Sequence, residues 1–455
     1  MKYLLIFTYV LLLATNFVEA RNTTCNKFVD QYAPFNTFFT GYLNPGFDDQ
    51  TTGLGFVFYS KQNATTVEEI AEVPTLIWLN GGPGSPSMQG AYFENGPYRV
   101  LNISGQKVIQ VNPDAWTNKY NVLYIDQPIA VGFSRSLNDT YLPKNITVVA
   151  QQFYQALLSF YSGNGCYNNT QLHKSPIFIT GESYAGKYIP NIAAEIIKQN
   201  KIAAATGNIV IPLQGVSIGD PFIDPQHQFY QLGEFGIQNG LITEETRQKL
   251  EVIIDKMRFY IDTKDNFNAT MAYNQSISFF MENSIYPLQN FYNFKIGPYP
   301  DDFVADHCQD YIKQFGFDED FTFGSTNIKI AKSLFMDNFN PNAIPALQYI
   351  LSNKLPVIIY NGDNDIAITS LGVKTSINNF SWEGQQIFSR LPMSNITNNK
   401  NKTIAAYKNF LNLHLATILD AGHLVPYDQP ESMNIILDNF IDSALKTTKT
   451  TTKQH

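Results

Sequence analysis

Of the 455 residues, 44% are hydrophobic and only 15% charged, enough apolar material for a sizeable buried core and a charged share low for a cytosolic protein. Asp and Glu total 39 against 31 Lys and Arg, and the resulting net charge of −8 argues against nucleic-acid partners.

In chain order, Lys2, the apolar stretch Tyr3 to Ala14 and the small-residue site Val18-Glu19-Ala20 predict a signal peptide over residues 1–20. The apolar run is about half the length of a bilayer-spanning helix, so no membrane association is expected once the leader is removed. Eleven N-x-S/T sequons, at Asn22, Asn63, Asn102, Asn138, Asn145, Asn168, Asn268, Asn274, Asn379, Asn395 and Asn401, fit secretory passage and N-glycosylation. An Asn-rich chain also makes such sequons by chance.

Short apolar, β-branched runs predict strands at Leu54–Tyr59, Thr75–Leu79, Val122–Asp126, Ile177–Thr180 and Val216–Gly219. A helix is expected over Thr147–Phe160, and another where Ile189, Ile192, Ala193, Ile196 and Ile197 recur at helical spacing. From 226 to 342 the pattern changes to helical stretches such as Thr243–Met257 and aromatic-rich loops containing Phe279, Phe280, Tyr292, Phe294, Phe315 and Phe317. Strands return at Val357–Tyr360 and His414–Leu419, and residues 447–455 read as a disordered Thr/Lys-rich tail. The alternation predicts an α/β fold: a doubly wound mixed sheet with an antiparallel start, built from 21–225 and 343–446 and interrupted by an inserted, mainly helical cap over 226–342.

Gly181-Glu182-Ser183-Tyr184-Ala185-Gly186 falls between a predicted strand and a predicted helix. In that setting G-x-S-x-G forms a tight turn that lifts the serine hydroxyl clear of the sheet, and the glycines admit neighbouring backbone. Partners of an elbow serine follow in the order Asp/Glu, then His. His173 and His227 then play no part, His307 lies before the last predicted strands, and His455 ends the tail. His414 sits inside a predicted strand as a sheet-face residue, whereas His423 lies in the loop beyond that strand, where open α/β sheets place their chemistry. His423 is the candidate base. Asp363 and Asp365 both follow the strand ending at Tyr360, and position alone leaves them equal. The N–H of Tyr184, next after the serine, is one candidate oxyanion donor.

Five ordered segments carry a more specific likeness. They are Trp78-Leu79-Asn80-Gly81-Gly82-Pro83-Gly84-Ser85, the Asp126–Ser134 stretch after Asn112-Pro113-Asp114-Ala115-Trp116, the elbow, Tyr360-Asn361-Gly362-Asp363-Asn364-Asp365, and Gly422–Pro430. Spread over roughly residues 30 to 440, they resemble the serine carboxypeptidases, acid-active peptidases of the α/β-hydrolase fold that trim single residues from peptide C-termini. The resemblance implies hydrolysis of the C-terminal peptide bond through an acyl-Ser183 intermediate, with peptide or protein C-termini as substrates. It selects Asp365 as the residue that orients His423 and places the second oxyanion donor at Gly82. It maps recognition of the substrate carboxylate onto Asn80, Gly81, Glu94 and Glu182, and puts Phe93 and Leu424 beside Tyr184 next to the scissile bond. Two close carboxyls cannot both ionise cheaply, so a proton held between Glu94 and Glu182 would donate to that carboxylate at acidic pH.

The chain departs from the family in its cysteines, of which Cys25, Cys166 and Cys308 permit one intrachain bridge; the guess is Cys25 with Cys308. Pro86 interrupts the serine run usual after the Gly-rich loop, and Asp220 replaces the usual asparagine. No metal or cofactor is expected, since H-E-x-x-H, Cys-x-x-Cys and phosphate-cradling lysine motifs are all missing from the sequence. Two rivals share the scaffold. In an acyltransferase an alcohol would capture the acyl group, and a silent binding protein would be free to lose a catalytic member. The vacuole or lysosome and the outside medium are equally open as destinations.

Overall fold

The computed structural model describes residues 24–162, 174–312, 314–317, 322–324, 326–340 and 343–452. The expected leader, the sequons at Asn22 and Asn168, Cys166 and His455 lie outside these residues. The strands are β1 (Thr24–Phe28), β2 (Phe38–Leu43), β3 (Leu54–Tyr59), β4 (Thr75–Leu79), β5 (Tyr98–Ile103), β6 (Gln106–Val111) and β7 (Asn121–Ile125). They continue as β8 (Ile177–Glu182), β9 (Leu213–Gly219), β10 (Val357–Gly362), β11 (Ser394–Thr397), β12 (Thr403–Phe410) and β13 (Leu413–Ile418).

Among the described residues, one sheet of 11 strands runs in the order β1-β2-β3-β7-β4-β8-β9-β10-β13-β12-β11, with β5 and β6 as a separate hairpin. The pairs from β1 through β3 to β7 are antiparallel, the central run from β7 to β13 is parallel, and β12 and β11 close the sheet antiparallel. This is the doubly wound mixed sheet expected of an α/β hydrolase. Each strand expected from the sequence is present, with ends displaced by up to three residues. The unexpected strands flank the centre, where the apolar signal is weaker: β2 carries Gly41, and β12 pairs two alanines with Lys408 and Asn409.

Alternation along the central strands feeds two apolar layers. Ile77, Leu123 and Ile359 face helices Ile146–Tyr161 and Ala185–Thr206, while Trp78, Tyr124 and Tyr360 face the layer holding Met433, Leu437 and Phe440 of helix Pro430–Thr452. The central strands are buried on both faces, which is why they read as unbroken apolar runs. The C-terminal helix continues into the segment expected to be a disordered tail. No helix among the described residues is long and apolar enough to cross a membrane.

Between β9 and β10 the chain is helical, including Leu232–Gln238, Glu244–Asp262, Asn266–Glu282, Val304–Tyr311 and Ile328–Leu334. Several of the loop aromatics named from the sequence are packing residues. Phe280 is fully buried in one apolar layer, and Phe315 and Phe317 lie in the other against Phe38 and Phe133.

One cysteine expectation is corrected. Cys25 is disulfide-bonded, but Cys308 is a buried free thiol inside helix Val304–Tyr311, surrounded by apolar residues and pushed well above the ordinary thiol range by that burial. Cys25→Ser is therefore expected to lower the unfolding free energy by about 2–5 kcal/mol in denaturant titrations. Mass mapping after alkylation should find Cys308 unmodified in native protein and modified once the protein is unfolded.

Candidate active site

Strand β8 ends at Glu182 and helix Ala185–Thr206 begins after only two intervening residues, so Ser183 must turn the chain almost at once. It does so at φ +61°, a left-handed backbone that a residue with a Cβ rarely adopts. Three hydrogen bonds hold it: the Ser183 N–H donates to Gly219 O at 3.0 Å, and Ser183 O accepts from the N–H groups of Gly186 and Phe222, each at 2.9 Å. Beside it the loop after β4 comes so close that a Cβ on Gly81 would overlap the Tyr184 nitrogen. Only glycine lets the two loops meet, and the contact brings Gly82 to the cavity that Ser183 and Tyr184 line. Among the described residues neither the Gly82 nor the Tyr184 N–H is engaged in a hydrogen bond.

His423 lies just beyond β13. Its Nδ1 is 2.7 Å from Asp365 Oδ2, both side chains are buried, and Asp365 Oδ1 accepts from the Ile368 N–H at 3.2 Å. Geometry thus separates the two aspartates that position left equal, because the charges facing Asp363 are Lys295 and Asp420. His414, as its strand position implied, is a buried sheet residue bonded to the Tyr407 hydroxyl, and burial pushes it down to about 4.

Several contributors escaped sequence reasoning. Tyr292 O accepts the His423 N–H at 2.7 Å, and the tyrosine ring lies 4.9 Å from the imidazole. Asp428 Oδ2 accepts from the Gly422 N–H at 2.7 Å and the Tyr299 hydroxyl at 2.8 Å, anchoring the histidine loop. Asp428 stood inside a quoted motif, whereas Tyr292 sits in an irregular loop with no periodic signal.

On the other side of Ser183, Asn80 joins two buried glutamates. Its Nδ2 donates to Glu182 Oε1 at 3.1 Å and Glu94 Oε1 at 3.4 Å, and its Oδ1 is fixed by the Trp78 indole N–H and the Gly90 N–H. Burial pushes Glu94 up to about 7, and burial together with Glu94 beside it drives Glu182 well above the ordinary carboxylate range. Glu94 ends a single π-helical turn, Gly90–Glu94, of the kind that recurs at functional sites.

Ser183, His423, Gly82 and Tyr184 line a cavity of about 500 Å³ whose apolar wall includes Phe222, Tyr273, Ile277, Phe291, Phe335 and Phe339. Phe93 and Leu424 do not line it. Phe93 is fully buried and stacked on Tyr427, and Leu424 packs in the same layer. Asp220, Asp365 and His423 form a group compact enough to share a cation, their polar atoms lying within 4.8 Å of one another. The His423–Asp365 bond already uses two of the three, so the arrangement suits a proton better.

A hydroxyl on a strained elbow, an imidazole held by a buried carboxylate and two free N–H groups equip this sheet for nucleophilic acyl transfer, the chemistry of the serine hydrolases of the α/β-hydrolase fold. The serine carboxypeptidase family model matches residues 29–443. A Dictyostelium discoideum protein named serine carboxypeptidase S10 family member 1 is 28% identical over 89% of this chain and 94% of its own. A carboxypeptidase Y homolog A from Paracoccidioides lutzii is 30% identical over 87% and 71%. The crystal structure of a prohormone-processing carboxypeptidase from Saccharomyces cerevisiae superposes with a TM-score of 0.76 at 23% identity, covering 91% of this chain and 93% of that one. The chain belongs to the serine carboxypeptidase family, and its activity is that of a serine-type exopeptidase.

The buried acids make stability depend on pH. Asp126, like Glu94, is pushed up to about 7 by burial, and burial and neighbouring carboxylates raise Glu182 and Asp220 well above the ordinary carboxylate range. A raised folded-state value means the native state binds protons the unfolded chain has released. The stabilisation is complete below the ordinary carboxylate range and is lost as pH rises through the folded values. His307 and His414, pushed down to about 3 and about 4, act oppositely but have finished titrating by the upper part of that window. The melting temperature should therefore fall between about pH 5 and pH 7.5 in calorimetric scans.

Proposed function

We propose that this enzyme hydrolyses the C-terminal bond of peptides and proteins at acidic pH, with Ser183 as nucleophile, His423 as general base and Asp365 as its orienting partner. The Ser183 Oγ bonds to the scissile carbonyl carbon as its proton passes to His423, and the Gly82 and Tyr184 N–H groups bind the oxyanion. His423 returns the proton to the departing amine as the C–N bond breaks, leaving an acyl-Ser183 ester. Water then attacks that ester by the same route and frees the serine. The acyl-side residue enters the aromatic-walled cavity, and the helical segment over 226–342 serves as the cap that supplies much of that wall.

The observation that carries the exopeptidase reading is the buried Glu94–Glu182 pair sharing Asn80 beside Ser183. A proton held by the pair donates to the substrate carboxylate, with Asn80 and Gly81 completing the site. An acyl acceptor other than water would give such a pair nothing to bind. Passage through the secretory pathway to a lysosome-like compartment or the exterior, with N-glycosylation, fits an enzyme that works in acid.

Amino-acid release from a blocked dipeptide, compared with its C-terminal amide across pH 4 to 8, tests this reading. Release from the free acid should be fastest at low pH and weaken as pH rises through about 7, the value for Glu94, and the amide should be a poorer substrate throughout. Ser183→Ala should abolish release, and Asp365→Asn should lower kcat by about 10⁴ while the fold is kept. Glu94→Gln, whose amide cannot titrate, should flatten the alkaline fall in kcat/KM. Equal rates on acid and amide would refute carboxylate recognition by the pair.

A further inference from the structure

One buried carboxyl near the site has no part in the chemistry above. Asp220 follows β9, is fully buried, and adopts φ +41°, a left-handed backbone that aspartate tolerates better than most residues. Its Oδ1 accepts from Asn361 Nδ2 at 2.7 Å and from the Gly362 N–H at 2.9 Å, so that oxygen is well supplied with donors. Its Oδ2 is buried without a donor. One of its carboxylate oxygens lies within 4.8 Å of an Asp365 oxygen and a His423 ring nitrogen.

Counting donors and acceptors decides where a proton sits. Asp365 Oδ1 accepts from the Ile368 N–H and Oδ2 from His423, so both oxygens of Asp365 act as acceptors. Two carboxylates this close cannot both ionise cheaply in a buried site. The one oxygen of the four without a donor is Asp220 Oδ2, and an O–H there satisfies both the orphaned atom and the crowded pair.

We propose that Asp220 is a positioning residue that reaches the reaction through Asp365: its Oδ2 carries a proton and donates it to Asp365, steadying that carboxylate against His423. The inference rests on the assignment of Ser183, His423 and Asp365 above. The groups facing Asp220 are Asp365, Glu182, His423 and the Tyr360 hydroxyl, none of which is a fixed cation. Burial, followed by the charge of Asp365, raises Asp220 well above the ordinary carboxylate range, in keeping with a retained proton. An amide would supply the same donor and the same acceptor, which makes asparagine the conservative replacement.

Two measurements test it. Infrared difference spectra of protein carrying carbon-13-labelled aspartate, wild type against Asp220→Asn at pH 6, should show a protonated-carboxyl stretch that the variant lacks; Asp126 and the remaining aspartates are common to both and cancel. The second measurement is the rate at which a fluorophosphonate labels Ser183, a readout that bypasses peptide-carboxylate binding. Asp220→Asn should label within about threefold of wild type, and Asp220→Ala about 10- to 100-fold more slowly, the loss of one hydrogen bond to a charged acceptor. Absence of the infrared band, or wild-type labelling by Asp220→Ala, would overturn the proposal. Should Asp220→Ala fail to fold, the infrared band decides alone. Should wild-type Ser183 resist the reagent altogether, the nucleophile assignment fails, and the band still reports whether Asp220 holds its proton.

Discussion

The parallel register of β4, β8, β9, β10 and β13 is the constraint on which the site depends. Leu79 pairs with Gly181, Glu182 with Gly219, Tyr360 with Gly219 and Gly362 with Ile418, so these strands end at one edge of the sheet. Asn80, Ser183, Asp220, Asp365 and His423 each follow one of those ends within a few residues. A one-residue slip in any pair would turn every side chain of that strand to the opposite face. The two apolar layers, which accept Ile77 on one side and Trp78 on the other, hold the register in place.

Register alone does not fix the loops beyond the strands; a segment of the mainly helical region between β9 and β10 does. Phe291 O accepts from the Ile366 and Ala367 N–H groups, Phe294 N–H donates to Asn364 O, and Tyr292 O takes the His423 N–H. Four hydrogen bonds thus tie the aspartate loop and the histidine loop to a common backbone. A Cβ on Gly422 would overlap Tyr292 O, which is why glycine must precede the histidine. The region between β9 and β10 both walls the cavity and fixes the relative placement of imidazole and carboxylate.

Much of this was legible in the sequence because the central strands are buried on both faces and end in turns of distinctive composition. The elbow stood out as G-x-S-x-G between a strand and a helix and the histidine by its loop beyond a late strand, whereas the role of the Gly-rich loop came from its place after a strand and from the family resemblance. The choice between Asp363 and Asp365 was not legible from position, since a shift of two residues keeps a side chain on the same face of a strand and a loop erases even that. Phe93 and Leu424 show the complementary failure. They sit where the chain approaches the site, but their side chains turn into the core, and sequence spacing carries no such direction. The cysteines misled for a related reason: Cys308 looked available for a bridge, yet it lies on the buried face of a short helix.

The acids packed around the active-site edge give the folded protein one further property. Glu94, Glu182, Asp126 and Asp220 hold protons that an unfolded chain would surrender near neutrality. Folding is thus a proton-uptake reaction under those conditions, and unfolding discharges protons into the surrounding buffer. The heat absorbed on unfolding then includes the ionisation heat of whichever buffer receives them. Titrating that heat against buffers of different ionisation enthalpy gives the net number of protons released, the buried carboxyls less the protons that His307, His414 and Lys187 take up.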